Sequence, residues 1–343
     1  MGFFSRLFGL DKKDDYSKNL DGYYDGSANN ETPPPPPEKK KKSWLSKLTE
    51  NLTPPTDIYH TKLHMSPYQA IHLAEEVMAG KMYHEKSIPR EGKAPRILSV
   101  PAPYLKNVQR RILNRILKKT ECHDAAHGFM RHRSIFTTLE NHTEKRVVVV
   151  LDIRNFFDTI SAKRVCGMFK SIGFSPQESA ILAKLCCYKD KLPQGAPTSP
   201  MIANIICRRL DSRLWGLCNK KGFSYTRYAD DLIFSGESKV VGLIPIIKQI
   251  INEEGFEIAE EKFRIMRSGS RQRVLGLNVN TKVSIPRKVR RIIRAMVYNQ
   301  LHSDEPDESL LDFLYGHVGL MASAHPSQAR KLKRKLNKIR KRI

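Results

Sequence analysis

Apolar runs and amphipathic stretches alternate along the chain, and they set the expected elements. Val147–Leu151 is a continuous apolar run closed by Asp152, which predicts a central strand buried on both faces. Residues 223–236 read FSYTRYADDLIFSG; β-prone residues flank Ala229, Asp230 and Asp231 and predict a hairpin with adjacent aspartates at its tip. Arg96–Val100 predicts a strand between prolines. Ser66 followed by Pro67 predicts a helix start, with Ile71, Leu73, Ala74 and Val77 on its inner face. Further helical patterns run over Tyr104–Lys119, from Ser161, over Met201–Leu214, after Pro286, over Glu308–Ser323, and to the C-terminus.

Outside these elements, Asp21–Ser43 (DGYYDGSANNETPPPPPEKKKKS) predicts a polyproline-bearing linker. It tethers a short amphipathic piece carrying Phe3, Phe4, Leu7 and Phe8. No apolar run approaches ~20 residues, so no transmembrane helix is expected, and the first ten residues lack a cleavable leader pattern. None of the 6 cysteines forms a C-x-x-C pair; they read as buried thiols of a reducing, cytoplasmic protein.

Charge narrows the function. The net charge is +25, and residues 1–60 are balanced in sign, so the excess belongs to residues 61–343. Removing the basic terminal stretch Pro326–Ile343 still leaves +16. A folded body this basic points to a polyanionic partner, because Lys and Arg on phosphates release condensed counterions. The helix after Pro286 puts Arg287, Lys288, Arg290, Arg291 and Arg294 around an apolar stripe, and the last helix adds Lys331 and Arg334. Such faces suit a duplex groove or an RNA stem.

Carboxylates supply the candidate chemistry. An aspartate at the end of a buried strand is costly unless it is paired or holds a metal. Two adjacent aspartates at a turn repel each other, and either solvent or a divalent cation answers that repulsion. With Asp152 at a matching strand end, three carboxylates can hold two Mg²⁺ ions about 4 Å apart, the arrangement of in-line phosphoryl transfer.

Three runs in series, LDIRNFFDTI (151–160), LPQGAPTSP (192–200) and YADD (228–231), resemble the reverse transcriptases. The resemblance covers roughly residues 65–325. It implies an α+β right hand: fingers, a palm of antiparallel sheet plus helices, and a helical thumb. It implies that Asp152, Asp230 and Asp231 are the metal ligands. By the same resemblance Ile153, Phe157, Gln194, Gly195 and Tyr228 lie against the incoming deoxynucleotide, with Phe157 as the steric gate against a ribose 2′-hydroxyl. Arg96 and Arg133 match the basic grip on the triphosphate. Lys262 matches a lysine beside the pyrophosphate, as general acid or electrostatic clamp. Val274–Asn280 fits the primer-grip hairpin. The expected division is 1–60 as an N-terminal extension, 61–281 as fingers and palm, and 282–343 as thumb.

The Gln-Gly loop with its nearby CCYKDK, followed by TRYADDLIFSG, looks most like retron reverse transcriptases. Those enzymes copy a cognate structured noncoding RNA into branched RNA-linked DNA and work with an effector protein in anti-phage defence. Two positions depart from the retron pattern: no N-A-x-x-H stands in Glu178–Asp190, and V-L-G replaces V-T-G at Val274–Gly276. A group II intron-like or other defence-associated reverse transcriptase, and a non-catalytic RNA–DNA scaffold restraining an effector, are the other readings.

Overall fold

In a computed structural model of the chain, residues 58–90 and 93–342 are described. The amphipathic piece at residues 3–8 and the linker at 21–43 lie outside the described residues. Among the described residues no helix is long and apolar enough to cross a membrane. All cysteines are free thiols; only Cys122 is half-buried and the others are buried.

Helix α1 (Pro67–Met78) begins as its sequence dictates. The Ser66 hydroxyl accepts from the Gln69 N–H at 3.1 Å, and the Gln69 side chain accepts from the Ser66 N–H at 2.8 Å, closing a capping box. Strands β1 (Tyr83–Arg90) and β2 (Lys93–Pro101) form an antiparallel ribbon separate from the main sheet. The expected strand Arg96–Val100 is the core of β2; its partner β1 (YHEKSIPR) was not foreseen. That stretch is polar and mostly exposed, so pairing, and not burial, makes it a strand.

Helix α2 (Pro103–Arg115) stops short of the expected Lys119. The backbone leaves the helix at Ile116 (φ −119°, ψ −69°) and makes a 3₁₀ turn over Leu117–Lys119, with Ile116 and Leu117 both buried. The short helix α3 (Ile135–Glu140) follows.

Strand β3 (Val147–Asp152) is buried at every residue. It is the keel of a four-stranded antiparallel sheet, β4 (Ser224–Tyr228), β5 (Asp231–Gly236), β3, β6 (Arg264–Arg267), in that spatial order. Because side chains alternate along a strand, its two faces feed two cores. Val147, Val149 and Leu151 enter a core with Leu232 and Phe234 of β5. Val148 and Val150 enter a second core with Ile233. Each buried valine contributes about 1.5–3 kcal/mol relative to exposure.

The first core is covered by helices α4 (Ala162–Ser171), α5 (Pro176–Cys186), α6 (Ser199–Ile206), α7 (Arg208–Asn219) and α8 (Ile244–Glu253). The single helix expected over Met201–Leu214 is broken at Cys207. Helix α6 buries Met201, Ile202, Ala203 and Ile205 almost all round, whereas α7 buries one stripe of Leu210, Asp211, Leu214 and Cys218. Asp211 of α7 meets Tyr225 and Arg227 of β4. The second core extends through the hairpin β7 (Arg273–Val274) and β8 (Leu277–Asn278) to three helices, α9 (Arg287–Leu301), α10 (Glu308–Ala324) and α11 (Pro326–Arg340). These match the three helical patterns expected after Pro286.

Candidate active site

Strand register brings the carboxylates together. Asp152, the last residue of β3, is the cross-strand partner of Asp231, the first residue of β5. Asp230 precedes it in the two-residue turn after Tyr228, which pairs with Asp231. The Ile153 N–H donates to the Asp230 carbonyl at 2.9 Å, lacing the strand end to the turn.

Asp152 is 1% exposed and Asp231 3%, and one carboxylate oxygen of each, Oδ2, is buried without a hydrogen-bond partner. Burial first, then the neighbouring Asp230 and Asp152 charges, push the Asp231 carboxyl well above the usual carboxylate range. Lys262 sits on the remaining oxygen: its Nζ lies 2.5 Å from Asp152 Oδ1. It is held there by a 3₁₀ turn (Glu260–Lys262) whose base is tied to the strand end, the Ala259 N–H donating to the Asp152 carbonyl at 2.8 Å.

Hard oxygen donors, buried orphan lone pairs and mutual repulsion are what a divalent cation relieves. The orphan oxygens of Asp152 and Asp231 have the chemistry such an ion would take. Among the described residues no group of three or more His, Cys, Asp or Glu side chains is placed to hold a metal ion; the Lys262 ammonium is the positive charge against Asp152.

The turn that bears the aspartates is strained. Ala229 has φ +56° in the left-handed region, which an L-residue with a Cβ disfavours. Sequence reasoning missed the residues packed around it. The Arg227 guanidinium is fully buried and grips Asp211 with two hydrogen bonds of 2.8 and 2.7 Å. The same guanidinium donates to Asn204 Oδ1 at 3.0 Å and to the Ala229 carbonyl at 3.2 Å. The Tyr225 hydroxyl donates to Asp211 at 2.8 Å, and Asn204 donates to the Gly128 carbonyl at 2.8 Å. Gly128 abuts the turn so closely that a Cβ there would stand 2.6 Å from the Ala229 nitrogen. One sequence signal for this cluster existed: Asp211 is a charged residue on the apolar stripe of α7.

Of the expected nucleotide-site residues, two meet across 98 positions: Arg96 Nε donates to Gln194 Oε1 at 2.8 Å. The Ser99 N–H also donates to the Gln194 carbonyl at 2.8 Å, so β2 and the Gln-Gly loop form one surface. Gly195 has φ +129°, and a Cβ there would lie 2.7 Å from the Ser99 carbonyl oxygen. Phe157 is half-buried beside the buried Phe156, with ring centroids 5.3 Å apart. The Ile153 side chain is buried in the first core, and Tyr228 is half-buried against the second. Arg133 has Asp124 as an ion-pair partner at 4.0 Å.

The helices at the C-terminal end form open basic grooves. Arg287, Lys288 and Arg291 line one of roughly 780 Å³ along α9. Arg291, Arg294 and Tyr298 of α9 face Lys331 and Lys335 of α11 across another of roughly 530 Å³. Arg334 is exposed but does not line that groove. Arg290 turns inward: it donates to the Ile285 carbonyl and to Gln328 Oε1, each at 3.1 Å, and ties α9 to α11.

The order of these pieces, a keel strand ending in aspartate, a Gln-Gly loop and an aspartate hairpin, defines a reverse transcriptase. The family profile described as reverse transcriptase (RNA-dependent DNA polymerase) matches residues 88–279, and the chain belongs to that family. It is 34% identical over 264 residues to the Retron Ec86 reverse transcriptase of Escherichia coli, covering 76% of this chain and 82% of that protein. It is 35% identical over 271 residues to the Retron Mx65 reverse transcriptase of Myxococcus xanthus, covering 73% of this chain and 63% of the relative. For the Retron Mx162 reverse transcriptase of the same organism the values are 33% over 292 residues, 74% and 60%. The chain thus spans less than two thirds of the length of the two Myxococcus proteins. These relatives place it among the reverse transcriptases of the retron type.

Proposed function

We propose that this chain is a Mg²⁺-dependent RNA-directed DNA polymerase that copies a cognate structured noncoding RNA into branched, RNA-linked single-stranded DNA. The observation that carries the reading is the register pairing of Asp152 with Asp231, each with a buried orphan oxygen, beside Asp230. Two Mg²⁺ ions held there would activate the primer hydroxyl and stabilise the departing pyrophosphate.

Each protein group has a part in this scheme. Asp152, Asp230 and Asp231 supply the oxygen donors. Lys262, now on Asp152, would give that oxygen up to a bound metal and serve the leaving pyrophosphate as proton donor or electrostatic clamp. Arg96, oriented by Gln194, and Arg133 offer cationic contacts to the triphosphate of a deoxynucleotide. Ile153 and Tyr228 flank its site, Gly195 keeps the loop close, and Phe157 excludes a 2′-hydroxyl. Residues 61–281 act as fingers and palm and 282–343 as thumb. There Arg287, Arg291, Arg294, Lys331 and Arg334 contact nucleic-acid phosphates, and Arg290 stiffens the helix pair. An effector protein and a role in anti-phage defence are the setting that the resemblance to retron reverse transcriptases implies.

Primer extension on an RNA template tests the chemistry. Asp230→Asn with Asp231→Asn abolishes DNA synthesis while RNA binding persists. The double variant should fold at least as well as the wild type, because it removes a buried like-charge repulsion. Undiminished product from it would sink the polymerase reading. Sequencing the nucleic acid that copurifies with the chain tests the product: a short DNA joined to RNA through a branch is expected. Specific RNA binding with no DNA synthesis by the wild type would favour the scaffold reading.

A further inference from the structure

Every partner of Arg227 is a piece of protein that touches the aspartate hairpin. Its N–H donates to the Ala125 carbonyl at 2.7 Å, and its carbonyl accepts from the His127 N–H at 2.8 Å, so the 125–128 loop is stitched to β4. Its guanidinium joins α7 through Asp211, α6 through Asn204, and the turn itself through the Ala229 carbonyl. Burial alone would disfavour the charged guanidinium; the Asp211 carboxylate overrides it and keeps the arginine ionised.

A buried ion pair is a poor source of net stability, since well-packed apolar residues of similar volume commonly serve as well. What apolar residues cannot do is aim a hydrogen bond. The aimed bond here lands on Ala229, the strained residue immediately before the carboxylates. Left-handed non-glycine residues persist where the surroundings over-determine them, typically at functional sites. The turn is held from three sides: Arg227 on the Ala229 carbonyl, Gly128 against the Ala229 nitrogen, and the Ile153 N–H on the Asp230 carbonyl.

We propose that the buried Arg227–Asp211 pair, with Asn204, is a positioning device that sets Asp230 and Asp231 for metal loading. The proposal rests on the polymerase reading for its catalytic consequence, but its metal-binding consequence is separately measurable. The device acts through the backbone, so Arg227 and Asp211 are positioning residues that touch neither nucleotide nor metal.

The test replaces the whole polar set at once. Arg227→Met, Asp211→Leu and Tyr225→Phe together leave no orphaned buried charge. Thermal unfolding, Mn²⁺ binding to the nucleotide-free protein by electron paramagnetic resonance, and primer-extension kinetics are measured side by side. With the unfolding temperature retained, Mn²⁺ affinity and kcat each fall by about 10–100-fold, as for lost outer-shell support of metal ligands, while the dNTP KM changes little. Arg227→Lys, which can reach one partner but not all, recovers part of the loss. A folded triple variant with wild-type Mn²⁺ affinity and kcat overturns the proposal. Should the triple variant not fold, Asn204→Ala removes one arm of the device and leaves the ion pair. A several-fold loss of Mn²⁺ affinity in that variant supports the device, and an unchanged affinity overturns it. The Mn²⁺ measurement decides the matter even where the wild type makes no DNA, so failure of the polymerase reading and failure of the device are told apart.

Discussion

Gly195→Ala is the most direct check on how the Gln-Gly loop is built. The loop resembles one that lies close to a nucleotide, and a glycine there could serve the ligand alone. The structure gives a different reason. The Gly195 α-carbon is pressed against β2: a Cβ would stand 2.7 Å from the Ser99 carbonyl oxygen and 3.3 Å from its carbon. These are backbone atoms of a strand, and Ser99 is already tied to the loop by its N–H to the Gln194 carbonyl at 2.8 Å. The residue also sits at φ +129°, where an L-side chain is strained whatever the space. Backbone strain of this kind costs about 1–3 kcal/mol. Forced overpacking costs about 1–3 kcal/mol more. Movement of β2 relieves part of both, so the expected loss is about 2–4 kcal/mol, or roughly 3–6 °C in unfolding temperature for a chain of this size. The same movement pulls Arg96 from Gln194, so the dNTP KM rises. Thermal unfolding without any nucleotide, followed by steady-state primer extension, reads both effects. Gly216→Ala is the control: it lies inside α7 with nothing within 4 Å of the added carbon, and should stabilise by up to about 1 kcal/mol. If Gly195→Ala unfolds at the wild-type temperature, with or without an altered KM, the steric argument is wrong.

Phe157→Ala should admit ribonucleotides with discrimination reduced about tenfold or more, at little cost in stability because Phe156 and not Phe157 fills the core; unchanged sugar selectivity in single-nucleotide extension would remove the gate assignment. His142 is buried between the Ser235 and Thr226 hydroxyls, each at 2.7 Å, and burial pushes its imidazole down to about 3. Unfolded it takes a proton below about pH 6.5, while folded it does not until about pH 3, so its stabilising effect is complete above 6.5 and declines as pH falls. Wild type should therefore lose about 2 kcal/mol more than His142→Gln between pH 7 and pH 5 in urea unfolding, and parallel losses would refute the assignment. Arg291→Gln with Arg294→Gln should weaken RNA binding evenly across sequences and reduce the log–log salt slope by about 2, whereas Arg290→Gln should lower stability and leave the slope nearly intact; equal slopes for all would put the phosphate contacts elsewhere.

Much of the architecture could be read from pattern because burial on both faces leaves no ambiguity. The valine run of β3 and the hairpin around Asp230 and Asp231 declare themselves that way, and Ser66–Pro67 and Ser161 mark helix starts by their capping chemistry. Other features answer to partners distant in sequence, and local pattern is blind to them. Strand β1 is polar and exists because β2 pairs with it. The break at Cys207 separates a helix buried almost all round from one that buries a single stripe. Helix α2 ends at Arg115, where Ile116 leaves helical geometry with no proline or glycine to announce it. Within the site, the motifs singled out Asp152, Asp231, Arg96 and Gln194, and folding pairs the first two across strands and the last two by a hydrogen bond. The residues that set the turn, Arg227, Asp211, Asn204 and Gly128, were not singled out, since their roles exist only once four segments are folded together. Arg290 shows the reverse error: from its place in a basic helix it resembles Arg291, yet its side chain is spent on Ile285 and Gln328.

The alternation of β3 has a practical outcome for anyone dissecting this protein. Val148 and Val150 belong to the same cluster as Val289, Ile293 and Val297 of α9, while Val147, Val149 and Leu151 serve the opposite side. A polypeptide cut to residues 282–343 would bare the apolar flank of its helices, and one ending near 281 would bare the underside of its sheet. Neither truncation is an autonomous unit, so both halves of this molecule should melt as one.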